Sequence, residues 1–261
     1  MSFNRIHLFA LFILACLSIS CHKKDTVEVD KGHLSYGDSV FYVSHQSSDL
    51  LVGPVHTATG TYSAFPEGLE LDRSTGVINV SRSEAGMRYR ISFQGAQGDT
   101  SNAFVVISGI NFPDKYYRLS DADSVAFPVY NADPSRPMPA GIFDEDKVAN
   151  NSGCAMRTNN GQINLKESVR NGLFGSTPKN DTRKDFEVKY RLDDKSGKAL
   201  NKIKILLYYY DTMSDVPADL QQTVREHQAM TFQPDNTPII STPIASIAGK
   251  PRPPCIIVIG H

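Results

Sequence analysis

Cysteine and histidine are the residues with which this chain could carry out nucleophilic chemistry. Cys154 follows Ser152 and Gly153, and a base such as His227 would have to lie beside it to activate the thiol. No recognisable catalytic signature surrounds Cys154, and Glu226 and His227 stand in a polar helical segment that is typical of a solvated pair. We therefore predict no catalytic residue, and a thiol enzyme built from Cys154 and His227 is the weaker interpretation.

The usual sequence patterns of metal and cofactor chemistry are missing. The chain contains no HExxH, CxxC, GxSxG, P-loop or dinucleotide-binding motif, and no two histidines have the spacing of metal ligands on one element. Paired carboxylates for glycoside hydrolysis come from distant strands, so spacing leaves a hydrolase of surface polymers open as an alternative. The chain has no Trp, the usual platform for a sugar ring. We predict no metal, no cofactor and no enzymatic activity.

Composition and charge limit the remaining functions. The 261 residues carry 27 basic and 28 acidic side chains, a formal net charge of −1, and 40% of them are hydrophobic. This composition is typical of a globular protein, and the balanced charge argues against a nucleic-acid partner, which would require a basic surface. Eighteen Gly and 15 Pro favour a turn-rich β protein over a helical one.

The N-terminal segment has the pattern of an export signal. Arg5 precedes an apolar run over residues 6–19, which is too short to span a bilayer comfortably. A small residue, Ser20, stands directly before Cys21, and this ending resembles the lipobox of bacterial lipoproteins. The resemblance implies that residues 1–20 are a signal peptide and that Cys21 is lipidated. An ordinary signal peptide with a chance cysteine and a transmembrane anchor are the alternatives.

Residues 21–34 are interpreted as the lipidated cysteine and a polar tether. Within them Lys23, Lys24 and Asp25 resemble the surface-export signal of some Gram-negative lipoproteins. This resemblance implies that the protein is anchored in the outer membrane and exposed on the cell surface rather than retained on the periplasmic face.

Two further cysteines, Cys154 and Cys255, would be exported with the mature chain. In an oxidising compartment they are candidates for a disulfide bond. Two separately buried thiols are the alternative.

Residues 35–112 have the strand and turn pattern of a β-sandwich. Alternation is clearest in residues 87–93, where the apolar side chains share one face. Further strands are predicted over residues 39–44, 76–80 and 103–107, with glycines recurring at the spacing expected of a sandwich.

Two stretches of this region carry a family resemblance. Residues 65–78 have the sequence FPEGLELDRSTGVI, and residues 84–89 have the sequence EAGMRY. Asp72 is expected to cap its own turn, and Gly76 is expected to have a positive φ before the strand restarts. Both stretches resemble the Ig-like and cadherin-like modules of bacterial surface proteins. The resemblance implies a β-sandwich, but such modules act as spacers, adhesins and carbohydrate-binding parts alike.

Residues 113–261 are predicted to form a second, β-rich α+β domain. Alternating residues 185–192 and 203–209 predict a β-hairpin. Helices are predicted over residues 214–230 and 165–172, and the apolar run 255–259 predicts a buried central strand. The acidic residues at 121–123 and 144–146 lack the loop spacing of a calcium site, so we expect solvated loops there.

Five tyrosines are candidates for a binding surface. Their rings could stack on sugar faces or anchor a protein partner. We favour the other interpretation, that they lie on half-buried strands with their hydroxyl groups toward water. The five are Tyr116, Tyr117, Tyr208, Tyr209 and Tyr210.

The sequence therefore predicts a mainly β protein, with an N-terminal Ig-like β-sandwich followed by a β-rich α+β domain. We expect a lipid-anchored, cell-surface, non-catalytic protein that contacts the membrane through the lipid on Cys21. The Ig-like part would be a spacer that presents the C-terminal domain for adhesion or for binding a glycan or an envelope protein. A hydrolase of surface polymers and a subunit of an envelope assembly are the alternatives.

Overall fold

The computed structural model describes residues 33–45, 47–121, 124–231 and 253–260. The predicted signal peptide, Cys21 and most of the tether lie outside the described residues, as do Ala122 and Asp123. The described strands are, in chain order, β1 (Val40–Phe41), β2 (Leu51–Val52), β3 (Gly60–Phe65), β4 (Ile78–Asn79), β5 (Met87–Gly95), β6 (Thr100–Ile107), β7 (Ile110–Asn111), β8 (Lys115–Arg118), β9 (Val125–Ala126), β10 (Val129–Tyr130), β11 (Gly141–Phe143), β12 (Ala155–Met156), β13 (Ile163–Asn164), β14 (Thr182–Leu192), β15 (Asn201–Tyr210) and β16 (Cys255–Ile259). The described α-helices are α1 (Val148–Asn151), α2 (Leu165–Arg170) and α3 (Ala218–Thr231).

The N-terminal half, residues 35–112, contains a β-sandwich whose strands pack around one hydrophobic cluster. Its larger sheet has the strand order β1-β6-β5-β3, with β1 parallel to β6 and the other pairs antiparallel. A second sheet pairs β2 with β4. The alternation predicted over residues 87–93 is confirmed, because Met87, Tyr89, Ile91 and Phe93 are all buried in β5 and belong to one hydrophobic cluster.

The turn at residues 72–76 forms as its sequence predicts. The Asp72 carboxylate accepts hydrogen bonds from the backbone N–H groups of Ser74 and Thr75, at 2.8 and 3.0 Å. Gly76 has a φ of +72°, and a Cβ at this position would lie 2.7 Å from the ring of Tyr62. The turn therefore requires both the short acceptor at its start and the glycine at its end.

The C-terminal half, residues 113–260, is built on a five-stranded sheet with the order β11-β14-β15-β16-β8. The predicted hairpin is confirmed as the antiparallel pair β14 and β15. The apolar run 255–259 is confirmed as a central strand, since β16 is parallel to both β15 and β8 and all five of its residues are buried. A smaller sheet has the order β12-β13-β9, and both of its strand pairs are antiparallel.

Helix α3 begins four residues later than predicted. Residues 213–215 form a 3-10 turn, in which Asp215 accepts hydrogen bonds from the Thr212 backbone N–H and hydroxyl group. Ser214 and Asp215 therefore lie in this turn rather than in the helix, and Pro217 directly precedes the first helical residue, Ala218. Helix α2 ends at Arg170, close to the predicted end, and Asn164 caps it by accepting a hydrogen bond from the Glu167 N–H at 2.9 Å. Among the described residues, no helix combines the length and the apolar character needed to cross a membrane.

The two halves are joined by hydrogen bonds across a buried junction. Strand β7 pairs with β10, and the N–H of Ile110 donates to the hydroxyl oxygen of Tyr190 at 3.2 Å. The N–H of Gly109 donates to the side-chain oxygen of Asn131 at 3.0 Å, and the Ser108 hydroxyl group donates to Asp194 at 3.3 Å. Gly109 lies so close to Tyr190 that a Cβ would stand 2.6 Å from the Tyr190 hydroxyl oxygen. The junction therefore fixes one half against the other at close range.

Candidate functional site

A buried polar cluster lies beneath helix α3. The Asp114 carboxylate accepts a hydrogen bond from the Cys255 N–H through Oδ1 at 2.7 Å, and its Oδ2 lies 3.1 Å from Nδ1 of His227. The side chain of Gln228 donates to the backbone carbonyl oxygen of Asp114 at 2.6 Å. Asp114 is 3% exposed and His227 is 8% exposed. We call Asp114, His227 and the Cys255 N–H the Asp114 cluster.

Three elements bring the Asp114 cluster together. Asp114 directly precedes β8, Cys255 begins β16, and His227 lies on α3. His227 follows Leu220 and Val224 on the helix face that packs on the sheet. The prediction of a solvated Glu226–His227 pair is therefore wrong for His227, which belongs to the buried face of the helix. Its spacing from Leu220 and Val224 was the sequence signal for this position.

The structure separates the cysteine and the histidine of the thiol-enzyme interpretation. Cys154 packs in the cluster that contains Ile205 and Leu207, whereas α3 packs against Leu206, and these residues alternate along β15. Cys154 and His227 therefore lie on opposite faces of the five-stranded sheet. Burial also raises the pKa of the Cys154 thiol to about 12, which keeps it protonated and a poor nucleophile.

Cys154 and Cys255 are free, buried thiols in this structure. They belong to different hydrophobic clusters, on the two faces of the sheet. The Cys255 thiol donates to the carbonyl oxygen of Pro253, with the sulfur 3.6 Å from that oxygen. This arrangement corresponds to the second alternative, two separately buried thiols, rather than to the predicted disulfide.

The five candidate tyrosines do not form an exposed aromatic surface. Tyr117, Tyr208, Tyr209 and Tyr210 are buried, and only Tyr116 is partly exposed. Neighbouring residues of β15 point to opposite faces of the sheet, and a hydrophobic cluster covers each face. The rings are therefore core residues, and sequence reasoning missed this because it treated one face of the strand as open.

The prediction of a solvated acidic loop at residues 144–146 is wrong for Asp144, which is only 1% exposed, whereas Glu145 and Asp146 are exposed. The Asp144 carboxylate accepts hydrogen bonds from the N–H groups of Ala149 and Asn150, at 3.0 and 2.9 Å, and so satisfies the start of α1. Across the described residues, no group of three or more His, Cys, Asp and Glu side chains is arranged to hold a metal ion.

An open groove lies on the N-terminal half instead, beside the outer edge of β3. It has a volume of about 350 Å³, and its lining combines three carboxylates with two guanidinium groups. The charged side chains are Glu67, Glu70, Glu84, Arg73 and Arg82, and Ala64 of β3 is also among the lining residues.

Backbone hydrogen bonds hold the charged loop of this groove in place. The N–H of Glu84 donates to the carbonyl oxygen of Gly68 at 2.8 Å, and the N–H of Glu70 donates to the hydroxyl oxygen of Ser83 at 3.0 Å. Arg82 makes an ion pair with Asp49 at 2.7 Å. The groove is therefore a shaped feature of the sandwich, and sequence reasoning missed it because its residues come from two separate segments.

Comparison with known proteins gives no family assignment. No family model matches the chain, and no curated protein matches it. Among solved structures, one similar chain is that of protocadherin gamma B7, extracellular cadherin domains 1–4, with 9% sequence identity and a TM-score of 0.20. The similarity covers 67% of this chain and 50% of that one, so this chain spans about half its length. The fold assignment therefore rests on the sheets themselves.

Proposed function

We propose that this chain is a lipid-anchored, non-catalytic protein of the cell surface. In this proposal the lipid on Cys21 holds the chain in the outer membrane. The N-terminal half acts as a spacer, and the C-terminal half is presented for adhesion or for binding a ligand such as a glycan.

The observation that carries the proposal is the junction between the two halves. A spacer can hold its partner domain away from a membrane only if the connection between them resists bending. The β7–β10 pair, the Ile110–Tyr190 hydrogen bond and the Gly109–Asn131 hydrogen bond supply such a connection. Buried hydrogen bonds of this kind are costly to break, because each leaves an unsatisfied polar group.

The positions of the chemically capable side chains favour a non-catalytic role. Asp114 and His227 contact each other and the start of β16 inside the fold, and Cys154 and Cys255 are fully buried. A catalytic group has to reach its substrate, whereas these groups are shielded from solvent and engaged in structural contacts.

The length of the tether is compatible with attachment close to the membrane. The folded part is already in place at Leu34, which is buried and whose N–H donates to Ser101 at 2.8 Å. A fully extended chain from Cys21 to Leu34 would reach at most about 45 Å. The sandwich would therefore begin within about 45 Å of the lipid surface.

Metabolic labelling tests the anchor directly. Cells that express the full chain would be grown with labelled palmitate, and Cys21→Ser would be compared with Cys16→Ser, which removes a cysteine of the signal peptide. We expect label and membrane association in the parent and in Cys16→Ser, and neither in Cys21→Ser. A Cys21→Ser protein that stays labelled and membrane-bound would refute the anchor.

Protease treatment of intact cells tests surface exposure, and glycan arrays test the ligand class. Digestion of the parent on unbroken cells is expected, whereas protection until the outer membrane is opened would contradict the proposed location. Uniformly flat responses to plant and host polysaccharides would eliminate glycan binding.

A further inference from the structure

The groove beside β3 contains an unpaired stretch of sheet edge. The N–H of Tyr62 donates to the carbonyl oxygen of Arg73 at 2.8 Å, so Tyr62 faces away from the neighbouring strand β5. Along an antiparallel strand, the backbone groups of every second residue point to the same side. The N–H and C=O of Ala64, two residues after Tyr62, therefore also point away from β5. Outside the strand ladder, no hydrogen bond between described residues involves these two groups of Ala64. Because they face away from β5 and Ala64 lines the groove, we infer that they are available to a ligand.

The charges of the groove favour a cationic ligand. Glu67 and Glu70 are exposed, and neither makes an ion pair with another described residue. Of the two arginines, Arg82 is already paired with Asp49 at 2.7 Å. Glu84 is likewise engaged in an interaction of its own. Glu67 and Glu70 therefore face one remaining guanidinium group, that of Arg73, which leaves the groove with an excess of negative charge.

We propose that this groove binds an extended peptide segment that carries a basic side chain. One residue of the peptide pairs with the N–H and C=O of Ala64, as in the addition of a strand to a sheet edge. Its basic side chain lies against Glu67 and Glu70, and Arg73 donates to a peptide carbonyl oxygen. A saccharide fits less well, because none of the residues that line the groove supplies an aromatic face for stacking. This inference goes beyond the proposed function and does not depend on the lipid anchor.

Fluorescence anisotropy with the purified full chain in detergent tests the inference. The probe is a fluorescein-labelled peptide of eight alternating Thr and Lys residues, blocked at both ends. We expect saturable binding with a Kd below about 1 mM. The same peptide with Glu in place of Lys should not bind, and a version with methylated backbone nitrogens should bind about tenfold more weakly because it cannot donate to Ala64.

Two variants locate the site. E67Q/E70Q should weaken binding of the Lys peptide about fivefold, because it removes two exposed charge pairs. The matched control is E187Q, which removes an exposed carboxylate on β14, and it should leave the affinity unchanged.

Three results would overturn the proposal. They are equal affinity for the Lys and Glu peptides, no effect of E67Q/E70Q, and absence of saturation below about 1 mM. Binding of a saccharide that E67Q/E70Q abolishes, without binding of the peptide, would assign the groove to a different ligand and would also overturn it.

Discussion

Replacement of Asp114 by Ala tests whether the Asp114 cluster holds the C-terminal half together. The substitution removes the acceptor of the Cys255 N–H and the oxygen that faces His227, both inside the fold. A hydrogen bond to a charged group contributes about 1.5–3 kcal/mol, and the losses at neighbouring contacts are not additive. We therefore expect the free energy of unfolding to fall by about 3 kcal/mol, a large part of the usual total of about 5–15 kcal/mol.

Urea unfolding measures this change. Because the chain contains no Trp and 11 Tyr, far-UV circular dichroism and tyrosine fluorescence would both be followed. Asp114→Asn should be less destabilising than Asp114→Ala, since an amide oxygen can still accept from the Cys255 N–H. The control is Asp185→Ala, which removes an exposed ion pair with Lys204 and should change stability by less than about 1 kcal/mol.

An Asp114→Ala protein with the stability of the parent would refute this reasoning. It would mean that the contacts of the Asp114 carboxylate with Cys255 and His227 do not stabilise the folded state. The case for a catalytic function of His227 would then have to be reopened.

Three further predictions concern single side chains. Cys154 and Cys255 should both react with iodoacetamide in the unfolded protein without prior reduction, and neither should react in the folded protein; an unreduced mass two units lower would show a disulfide instead. Tyr190→Phe should lower the free energy of unfolding by about 1–3 kcal/mol, because the buried Ile110 N–H loses its acceptor; an unchanged urea midpoint would contradict the junction. Hydrogen bonds from Ser74 lower the pKa of Asp72 to about 2, from its ordinary value near 3.8. Asp72→Asn should therefore lower the free energy of unfolding above pH 4, and its difference from the parent should vanish as the pH falls toward 2. A difference that stays constant across that pH range would refute the assignment.

The sequence was most informative where one physical constraint acts alone. Strict alternation in β14 has a single explanation, a strand with one buried face, and the structure has it. The uninterrupted apolar run of β16 is stable only where both faces are covered, which makes it a central strand. The turn at Asp72 was equally predictable, because its capping acceptor, Asp72, and its glycine, Gly76, lie close together in the sequence.

The sequence was least informative where two distant segments meet. The burial of Tyr208 and Tyr210 depends on α3 covering the second face of the sheet, which no pattern within β15 reveals. The partner of His227 is Asp114, 113 positions away along the chain. The groove beside β3 likewise needs both the 67–73 segment and the 82–84 segment, so it could be recognised only in the folded chain.

Folding accounts for the buried carboxylates of this protein but not for those of the groove. Asp114 and Asp144 each accept buried N–H groups that would otherwise lack partners, so both are required by the core. Glu67 and Glu70 are exposed, and neighbouring like charges raise the free energy of the folded state, by a few tenths of a kcal/mol for a pair on a helix surface. A cationic ligand would reverse the sign of that contribution. E67Q/E70Q should therefore slightly stabilise the unliganded protein and at the same time weaken peptide binding. A purely structural role of the two glutamates would not produce these opposite effects.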